Sequence, residues 1–407
     1  MAPVRVAVLG HTAETGGAEI ALMRLLEALD PRWQVTVILF SPGELESQLR
    51  QRGIAVRVLP LAQRTASRGR AQLKDPRTLL LSGRDSWGFV GRLAQLLRAE
   101  QAELVVANTL KAAVLGSLAA RRARCPWVWH LHDRISADYL PAAAVPALRL
   151  LARTAHGVVA NSHATARLVR LPAERVAVAY PGLPEESFAA AHQAPPTPVF
   201  GMLGRISSTK GQREFLQAAF TVAAADPSAA FHIVGQALFN DHEYAKQLED
   251  LTSQLDLAGR VRFAGWSARP EADLDRFSAL VHASPVPEPF GQVIAEAMAR
   301  GVPVIATAAG GAAEILTEAP DPVPAPSPGE VLRTPLGQLV APGDPRGLAS
   351  AMRWVIDNPG DAESAAQRAS ASARRRFGAA SAAAVCGEVW SQALAAASPR
   401  RRRGDAG

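Results

Sequence analysis

Short apolar segments rich in β-branched residues recur along the chain, and stretches whose apolar residues have helical spacing separate them. The first segment, Val4–Gly10, ends in a glycine and is followed by a loop and the apolar helical pattern IALMRLLEAL. Because strands that alternate with helices pair in parallel, this order predicts βαβ units in a doubly wound sheet. Further strands are predicted at QVTVILF, IAVRVLPL, AELVVANT, CPWVWHLHD, AHGVVANS and VAVAYPG.

The same alternation starts again after a proline-rich break, AAAHQAPPTP. Strands are predicted at VFGMLGRI, AAFHIVG, VRFAGW, ALVHASP, PVIAT and GQLVAP, with a helix at GQREFLQAAFTVAAA. A chain of 407 residues is long enough for two domains with separate cores. We therefore predict an α/β protein with an N-terminal Rossmann-like domain over residues 1–188, a linker over 189–198 and a second such domain over 199–377.

The C-terminal part of the chain carries three further predictions. Residues from about Asp344 to Ala397 form an Ala-rich amphipathic helical pattern, and we expect the helix at 378–398 to pack back toward the N-terminal domain. Residues 399–407 are predicted to be a basic disordered tail, with contact to a membrane or another polyanion as the alternative. The prolines between Glu318 and Leu332 indicate a solvent-exposed insertion.

Charge and cysteine content limit the class of protein. The formal net charge of +7 and the pI near 10.1 point to anionic partners such as nucleotides, nucleic acid or membrane phospholipid. Cys125 and Cys386 lie far apart without metal-ligand spacing, so neither a disulfide scaffold nor a zinc site is indicated. No apolar run reaches the roughly 18–20 residues that span a bilayer, and the N-terminus lacks a signal-peptide pattern. The predicted location is cytoplasmic, with peripheral contact at the inner face of the cell membrane left open.

The first candidate binding segment is ETGGAE, between the first strand and its helix. The adjacent glycines Gly16 and Gly17 let the backbone approach a ligand and direct the free amides of a helix N-terminus at negative charge. The spacing G-x-G-x-x-G is absent, so this is not a dinucleotide fingerprint. The alternative is a turn that needs glycine for a positive φ.

The second candidate segment is GRISSTKG, which follows the first strand of the second domain. Arg205 and Lys210 lie at the carboxyl end of a parallel strand, where open α/β sheets bind ligands. Two cations beside glycines suit a diphosphate, with Arg as a planar fork and Lys as a compact charge. The alternative is a solvated basic loop.

The third candidate segment runs through EPFGQVIAEAMARG. Glu288 precedes a predicted helix, Glu296 lies more than a turn inside it, and Gly301 is the predicted C-cap. We expect Glu296 to accept hydrogen bonds from a ribose diol, Glu288 to contact a sugar hydroxyl, and the amides of Phe290 and Gly291 to meet a phosphate. The alternatives are a surface helix residue for Glu296 and a loop acid for Glu288.

Two smaller signals complete the set. WHLHD places His130 and His132 on the same side of a strand end, followed by Asp133, although a histidine there is also often structural. AAGGAAEIL supplies a second Gly-Gly followed by an acid, Glu314, at another strand-to-helix turn. No Ser/His/Asp elbow, P-loop or metal-binding helix is recognisable in the sequence.

Taken in order, these motifs resemble the retaining glycosyltransferases of family 4, which have the GT-B architecture of two Rossmann-like domains facing a central cleft. The resemblance rests on EPFGQVIAEAMARGVPVIAT with the following GGAAE, on GRISSTKG and on the N-terminal GGAE. His132–Asp133, Asn161–Ser162 and Pro181–Gly182 match shorter motifs of the family in the same order. The resemblance covers nearly the whole chain and is most specific from Gly201 to Ala341.

The resemblance implies a retaining transferase that moves a sugar from a nucleotide-diphosphate sugar to a hydroxyl of a glycan, lipid-linked or small-molecule acceptor. It implies that Glu296 binds the ribose, that Arg205 and Lys210 hold the diphosphate, and that His132 approaches the sugar or the acceptor. The implied catalytic residues are His132, Arg205, Lys210 and Glu288. The implied donor-binding residues are Gly16, Gly17, Gly204, Arg205, Lys210, Gly235, Phe290, Gly291 and Glu296. Neither a metal nor a cofactor is implied.

The resemblance also implies a mechanism without an enzymatic nucleophile. The acceptor would attack from the face of the leaving phosphate, and a phosphate oxygen would take its proton. Glu288 and Glu296 would then be binding residues, unlike the paired carboxylates of glycosidases.

Two departures and two other protein classes stay open. The segment YPGLPEE lacks the asparagine of many relatives, and the basic stretch AQRTASRGRAQLKDPRTLLLSGRDSW is either a solvated loop or a contact for an anionic or lipid-linked acceptor. A GT-B-fold sugar-nucleotide epimerase would lack the E-P-F-G context, and a phosphorylase would need a lysine-bound cofactor. A non-catalytic basic module for membrane or nucleic acid needs interleaved aromatic residues, which make up only 5% of the chain. We expect no nucleic-acid partner.

Overall fold

The computed structural model describes residues 3–61, 76–188, 192–237 and 241–397, with side chains from residue 86 onward in the helix that begins at Pro76. Residues 62–75 of the basic stretch 62–87, the first three residues of the predicted linker and the tail at 399–407 therefore lie outside the described residues. The rest of the basic stretch, residues 76–87, begins the helix Pro76–Ala99 and is not the loop that the sequence suggested. The chain divides into two compact units. One runs from the N-terminus to Gly182 and includes the helix that starts at Ala379, and the other is Leu183–Gly378.

The first unit is built on a parallel sheet whose strand order is β3-β2-β1-β4-β5-β6-β7. All of its predicted strands are confirmed. The order reverses beside β1, which pairs with β2 on one side and β4 on the other, and ligands of doubly wound sheets bind at such a reversal. The strands are β1 Val4–Gly10, β2 Trp33–Leu39, β3 Ala55–Val58, β4 Leu104–Ala107, β5 Trp127–Leu131, β6 Gly157–Ala160 and β7 Val176–Val178.

Helices cover both faces of this sheet. Along β1, Ala7 and Leu9 pack into one apolar layer and Val6 and Val8 into the other, as the two-residue period of a strand requires. The helices are Gly17–Ala28, Glu44–Gln51, Pro76–Ala99, Leu110–Ala123, Ala144–Thr154, His163–Val169 and Ala379–Ala397, with a 3-10 turn at Ala173–Arg175.

The last helix, Ala379–Ala397, is anchored in the first unit by a tryptophan. Trp390 is fully buried, and its ring meets that of Trp33 edge to face at 5.2 Å. Its indole N–H donates to His130 Nε2 at 3.1 Å, so the polar atom of this large side chain is satisfied inside the core.

The second unit is built on a sheet of strand order β10-β9-β8-β11-β12-β14-β13. The strands are β8 Val199–Leu203, β9 Ala230–Val234, β10 Val261–Gly265, β11 Ala279–His282, β12 Val304–Thr307, β13 Val331–Thr334 and β14 Gly337–Val340. Six of them were predicted. The sequence analysis missed β13, an edge strand antiparallel to β14, because none of its four residues is buried and they follow the proline-rich insertion directly. The insertion itself is exposed, as predicted.

The helices of the second unit are Gln212–Ala225, His242–Gln254, Pro270–Leu274, Gln292–Ala299, Gly311–Thr317, Pro345–Asp357 and Pro359–Arg376, with a 3-10 turn at Glu185–Phe188. Residues 183–188, placed in the first domain by the sequence analysis, cluster with this unit. Leu183 donates its N–H to Phe377 O at 2.7 Å, and the Arg374 guanidinium donates to Phe188 O at 2.8 Å. None of the described helices is long and apolar enough to cross a membrane.

Candidate functional site

The GGAE segment forms the start of the helix Gly17–Ala28 at the carboxyl end of β1. The helix is capped by Gly16, whose φ of −121° is ordinary extended backbone, and Gly17 has no positive φ either. A turn that needs left-handed glycine therefore does not explain the pair. Lack of room for a side chain explains the glycine at position 16, because a Cβ at Gly16 would lie 3.0 Å from Glu19 Oε2.

Glu19 is a buried acid that the sequence analysis left without a role. Its carboxylate accepts the backbone N–H groups of Gly16 and of Glu19 itself, the reach-back bond of a capping box. Burial nevertheless raises the pKa of Glu19 to about 7, because desolvation outweighs these two bonds. The Gly16 amide, predicted to face a phosphate, is thus held by a carboxyl group of the same helix.

His132 follows β5 and lies among the ends of three strands. Its Nε2 is 3.1 Å from Oδ1 of Asn108, which follows β4, and its backbone O accepts from Nδ2 of Asn161, which follows β6, at 3.4 Å. Burial lowers the pKa of His132 to about 4, so its imidazole is neutral at pH 7. Asn108 is a site residue that the sequence analysis did not single out, although an asparagine directly after a predicted strand was a usable signal.

His130 lines the same small cavity as His132, which confirms the prediction that both point to one side of β5. The cavity volume is about 30 Å³. The ring of His130 accepts the Trp390 indole N–H and stacks on that indole with centroids 5.7 Å apart. Burial, with His132 nearby, lowers the pKa of His130 to about 3. His130 is therefore a core residue, the structural alternative for this motif.

In the second unit, hydrogen bonds of the Gln212 side chain hold the loop GRISSTKG. The Gln212 side chain donates to Arg205 O at 3.0 Å, and its Oε1 accepts the Ser207 N–H at 3.4 Å. Gly211 caps the following helix with φ +83°, and a Cβ there would lie 2.0 Å from Ala283 O. The loop is therefore tied to the helix below it and to the end of β11.

Gly235, at the end of β9, brings three neighbouring strand ends together. Its φ is +139°, its N–H donates to Gly265 O at 2.7 Å, and a Cβ would lie 2.0 Å from Gly204 O. Gly204 itself has φ +144°. Only glycines allow this approach, so the predicted donor residues Gly204 and Gly235 form a bare backbone surface at the edge of the sheet.

Glu288 is the centre of a partly buried ionic cluster. Its Oε1 accepts from Lys210 Nζ at 2.6 Å and from Ser284 Oγ at 2.5 Å. The Nε2 atom of His282 lies 3.4 Å from Glu288 Oε2, an electrostatic contact without hydrogen-bond geometry. Burial would raise the pKa of the Glu288 carboxyl, but Lys210 and His282 together hold it well below its usual range. Glu288 is therefore ionised, and it orients Lys210.

The helix Gln292–Ala299 carries Glu296, which is half-buried rather than a surface residue. Gly291 caps its start with φ +113°. At its end, Gly301 N–H bonds Met298 O at 3.0 Å and Val302 N–H bonds Ala297 O at 2.9 Å, a Schellman motif that confirms Gly301 as the terminating residue.

The second Gly-Gly, at Gly310 and Gly311, packs against the loop before that helix. The Gly311 N–H donates to Glu288 O at 3.0 Å, and a Cβ on Gly310 would lie 2.2 Å from the same oxygen. Phe290, in the same loop, is buried edge to face against Phe377 at 5.6 Å. These glycines therefore fix the backbone that carries Glu288.

The polar side chains at the carboxyl edges of the two sheets, the first edge in the first unit and the second edge in the second unit, do not form a metal centre in the part of the chain that the structure describes. Among the residues that the structure describes, no three His, Cys, Asp or Glu side chains are grouped so as to hold a metal ion. The positive charges at the second edge are those of Arg205 and Lys210. Arg205 Nε lies 4.0 Å from Asp241 Oδ2.

Comparison with known proteins accounts for both units. Residues 185–376 match the family model of the glycosyl transferases group 1, and residues 16–182 match that of the glycosyl transferase 4-like domain. The chain belongs to the group 1 glycosyltransferases. The family prediction from the sequence is confirmed.

Individual relatives of this glycosyltransferase support the same family assignment. The D-inositol 3-phosphate glycosyltransferase of Thermobispora bispora is 29% identical over 312 residues, which are 69% of this chain and 68% of that protein. The crystal structure of Anabaena Alr3699/HepE in complex with UDP and glucose has a TM-score of 0.78 and 28% identity, and the match covers 95% of this chain and 99% of that one. The galactosyltransferase WaaB, 15% identical with a TM-score of 0.66 over 97% of this chain and 99% of that one, shares the fold.

This group 1 glycosyltransferase has the GT-B fold of two Rossmann-like units, as the sequence predicted. It is a nucleotide-sugar-dependent enzyme that transfers a glycosyl group to an acceptor. The comparisons give no support to a sugar-nucleotide epimerase or a non-catalytic basic module.

Proposed function

We propose that this enzyme is a retaining transferase that takes its sugar from a uridine-diphosphate donor and builds a cell-envelope polysaccharide or glycolipid in the cytoplasm. The observation that carries the proposal is the Lys210–Glu288 cluster at the carboxyl edge of the second sheet. The UDP and UDP-glucose complexes of Alr3699/HepE support the donor class. The lipopolysaccharide core glycosyltransferase LpsD of Rhizobium meliloti, 34% identical over 140 residues, 34% of this chain and 36% of that one, supports the acceptor class.

Lys210 and Arg205 bind the diphosphate in this proposal. As the bond from the sugar to the phosphate breaks, negative charge grows on the departing nucleotide, and fixed cations stabilise that charge most strongly at the transition state. Glu288 keeps Lys210 in place before the donor arrives, since the two atoms are 2.6 Å apart. Glu296 accepts hydrogen bonds from the ribose diol, and the backbone at Gly204 and Gly235 leaves room for the phosphates.

Retention of configuration follows from the state of Glu288 in this proposal. The carboxylate of Glu288 accepts from Lys210 and Ser284 through Oε1 and so holds the lysine, and with its low pKa it has no proton to give. The acceptor hydroxyl oxygen therefore forms its bond to the anomeric carbon on the face that the phosphate leaves. The phosphate oxygen takes the hydroxyl proton and keeps the electron pair of the broken bond.

Peripheral contact with an anionic membrane is a further part of the proposal, supported by the helix Leu110–Ala123. Val114 and Leu118, one turn apart, are 42% and 41% exposed, and helical spacing puts Lys111 and Arg122 on the same face. Cations at both ends of an apolar stripe suit lipid phosphates and acyl chains. Leu118→Glu should weaken sedimentation with phosphatidylglycerol vesicles. Equal sedimentation of the wild type with neutral phosphatidylcholine vesicles would contradict this part.

The donor is tested first by thermal unfolding with UDP-, GDP-, ADP- and dTDP-linked glucose. A donor at a hundred times its dissociation constant should add about 2.7 kcal/mol to the stability of the folded state. We expect the UDP-sugar to stabilise the wild type and the control Glu249→Ala, which changes an exposed acid on the helix His242–Gln254, but not Glu296→Ala. If only glucose linked to a different nucleotide stabilised the protein, the assignment of a UDP-sugar donor would be overturned.

The stereochemistry is tested without knowledge of the acceptor. Slow hydrolysis of the α-linked donor releases a free sugar whose anomer is visible by proton NMR before it equilibrates. Retention requires the α-anomer to appear first. Initial release of the β-anomer would show inversion.

A further inference from the structure

Asn108 and His132 follow paired neighbouring strands and meet side chain to side chain at the edge of the first sheet. In the register of β4 and β5, Ala107 is opposite Trp129, which brings the residues after both strands to one place. Asn108 is 2% exposed, and its Oδ1 is 3.1 Å from His132 Nε2. At this depth an amide adopts the orientation that its neighbours dictate, because an unmatched polar atom is costly.

The neighbour that orients Asn108 is the backbone of the GGAE helix. The carbonyl of Ala18 can only accept, and it lies 3.4 Å from Asn108 Nδ2. A flipped amide would bring two acceptor oxygens together at that point. The Ala18 carbonyl therefore turns Oδ1 toward the histidine.

An amide oxygen can only accept, so the histidine atom facing it must carry a proton. We infer that Asn108 is a positioning residue that fixes His132 in the tautomer with its proton on Nε2 and its lone pair on Nδ1. The ring is neutral at pH 7, because burial lowers the pKa of His132 to about 4, and Nδ1 is therefore an acceptor.

His130, two residues earlier, shows the opposite arrangement within the same cavity. Its Nε2 faces the indole N–H of Trp390, which can only donate, at 3.1 Å. That nitrogen must hold the lone pair, so the proton of His130 is on Nδ1. The two histidines are thus held in opposite tautomers by partners of opposite character, and His130 serves as an internal reference for the assignment of His132.

The consequence for the reaction rests on the proposed function. A sugar or acceptor hydroxyl can donate to a lone pair on Nδ1, whereas the other tautomer would offer an N–H suited to a phosphate or carbonyl oxygen. Through Asn108, the backbone of the GGAE helix thus sets the hydrogen-bonding character of His132. This gives the GGAE segment a role in presenting a hydroxyl acceptor.

The tautomers are read directly by long-range proton–nitrogen NMR on the full chain labelled with ¹⁵N-histidine, with His130→Asn and His132→Asn for assignment. We expect Nε2–H at His132 and Nδ1–H at His130 at pH 7. Asn108→Leu should leave His132 as a mixture of tautomers. Asn161→Ser, which changes only a contact to the His132 carbonyl, is the matched control and should leave the ring unchanged. An Nδ1–H ring at His132 in the wild type, or an unchanged ring in Asn108→Leu, would overturn the inference.

Asn108→Asp is the second variant, in case the leucine variant does not fold. A carboxylate still accepts from Nε2–H and places a negative charge beside the ring, so the His132 pKa should rise by about 1–3 units. The variant leaves in place the other ionisable groups near this edge, which include His11, Glu14, Glu19, Lys111, His130 and Asp133. The acid limb of the pH profile of donor cleavage should move upward by the same amount. An unmoved His132 titration would contradict the inference.

These spectra need no donor, so the two proposals fail separately. The predicted tautomers without any cleavage of UDP-sugars would leave the positioning role standing and overturn the donor. Cleavage of UDP-sugars by a protein whose His132 carries its proton on Nδ1 would support the donor and overturn the positioning role.

Discussion

The two sheets share the order of their first five strands, and their carboxyl edges have opposite electrostatics. At the edge of the first unit, His130 and His132 have pKa values lowered to about 3 and 4, and Glu19 has a pKa raised to about 7, all mainly by burial. At the edge of the second unit, the Glu288 pKa is held well below its usual range by Lys210 and His282. The first edge therefore suppresses charge, and the second stabilises it.

The difference shows how one architecture serves two kinds of ligand. A buried edge with neutral donors and acceptors discriminates hydroxyl groups, because each unmatched polar atom costs free energy there. A diphosphate needs fixed positive charge instead. Whether the groups at an edge are neutral or charged depends on whether each ionisable side chain has a partner of opposite charge. Glu288 has such a partner in Lys210, 2.6 Å away.

The largest expected effect removes the charge from the second edge. Lys210→Ala should lower kcat by about 100–1000-fold, the usual effect of deleting one group that stabilises transition-state charge. The exposed lysine variant Lys246→Ala removes the same charge elsewhere in the unit and should keep near wild-type rates. Steady-state kinetics with the identified donor decide this, and equal rates for the two variants would remove Lys210 from the mechanism.

The next largest effect concerns the first unit, where burial of neutral His130 makes stability depend on pH. Its folded pKa of about 3 lies below the unfolded value of 6.5, so the unfolded chain binds the proton first and stability falls as the pH drops below 6.5. In His130→Gln the amide oxygen can still accept from Trp390. We expect the loss of unfolding free energy between pH 7 and pH 5 to shrink by about 2 kcal/mol in urea titrations.

The control for His130 is His242→Gln, a change at an exposed histidine of the second unit. That variant should keep the wild-type pH dependence. If His130→Gln kept it as well, burial of a neutral histidine would not explain the acid sensitivity of the first unit.

The smallest effect concerns Glu19 and has the opposite sign. Its folded pKa of about 7 lies above the ordinary glutamate value of 4.5, so the wild type loses stability as the pH rises through this range. Glu19→Gln keeps an oxygen for the Gly16 N–H and removes the charge. It should therefore be more stable than the wild type by about 1 kcal/mol at pH 8, and this gain should disappear at pH 5, where most of the penalty for ionising Glu19 is absent. A destabilised variant at pH 8 would show that the ionised carboxylate is needed as a cap.

Much of the fold was readable because its signals are local. Each predicted strand is a run of β-branched residues beside a helical pattern, and the Schellman end at Gly301 depends only on neighbouring residues. The missed strand β13 has no such signal, since VLRT is an exposed edge paired with β14 alone. In the Ala-rich pattern from Asp344 onward, the predicted boundary at 377–378 matches the break between two helices, but the second break, at Asn358, was not predicted.

The site was readable as a set of residue types but not as a set of pairs. The sequence placed Lys210, Glu288 and His132 at strand ends, yet it gave no reason to join Lys210 to Glu288 or His132 to Asn108. It also passed over Gln212, Ser284 and Glu19, whose roles arise only from what they touch. Backbone approaches such as Gly235 against Gly204 are equally invisible before the strands are side by side.

The sequence by itself determined the two doubly wound units, the glycines at their turns and the chemical groups at the strand ends, because these depend on local spacing and on side-chain type. The tertiary structure alone decided which of those groups are charged. His130 meets Trp390 across 260 residues of sequence and Lys210 meets Glu288 across 78, and each meeting fixes a protonation state through burial and a partner. Desolvation and Coulomb energy depend on distances in space, and a linear sequence does not contain them.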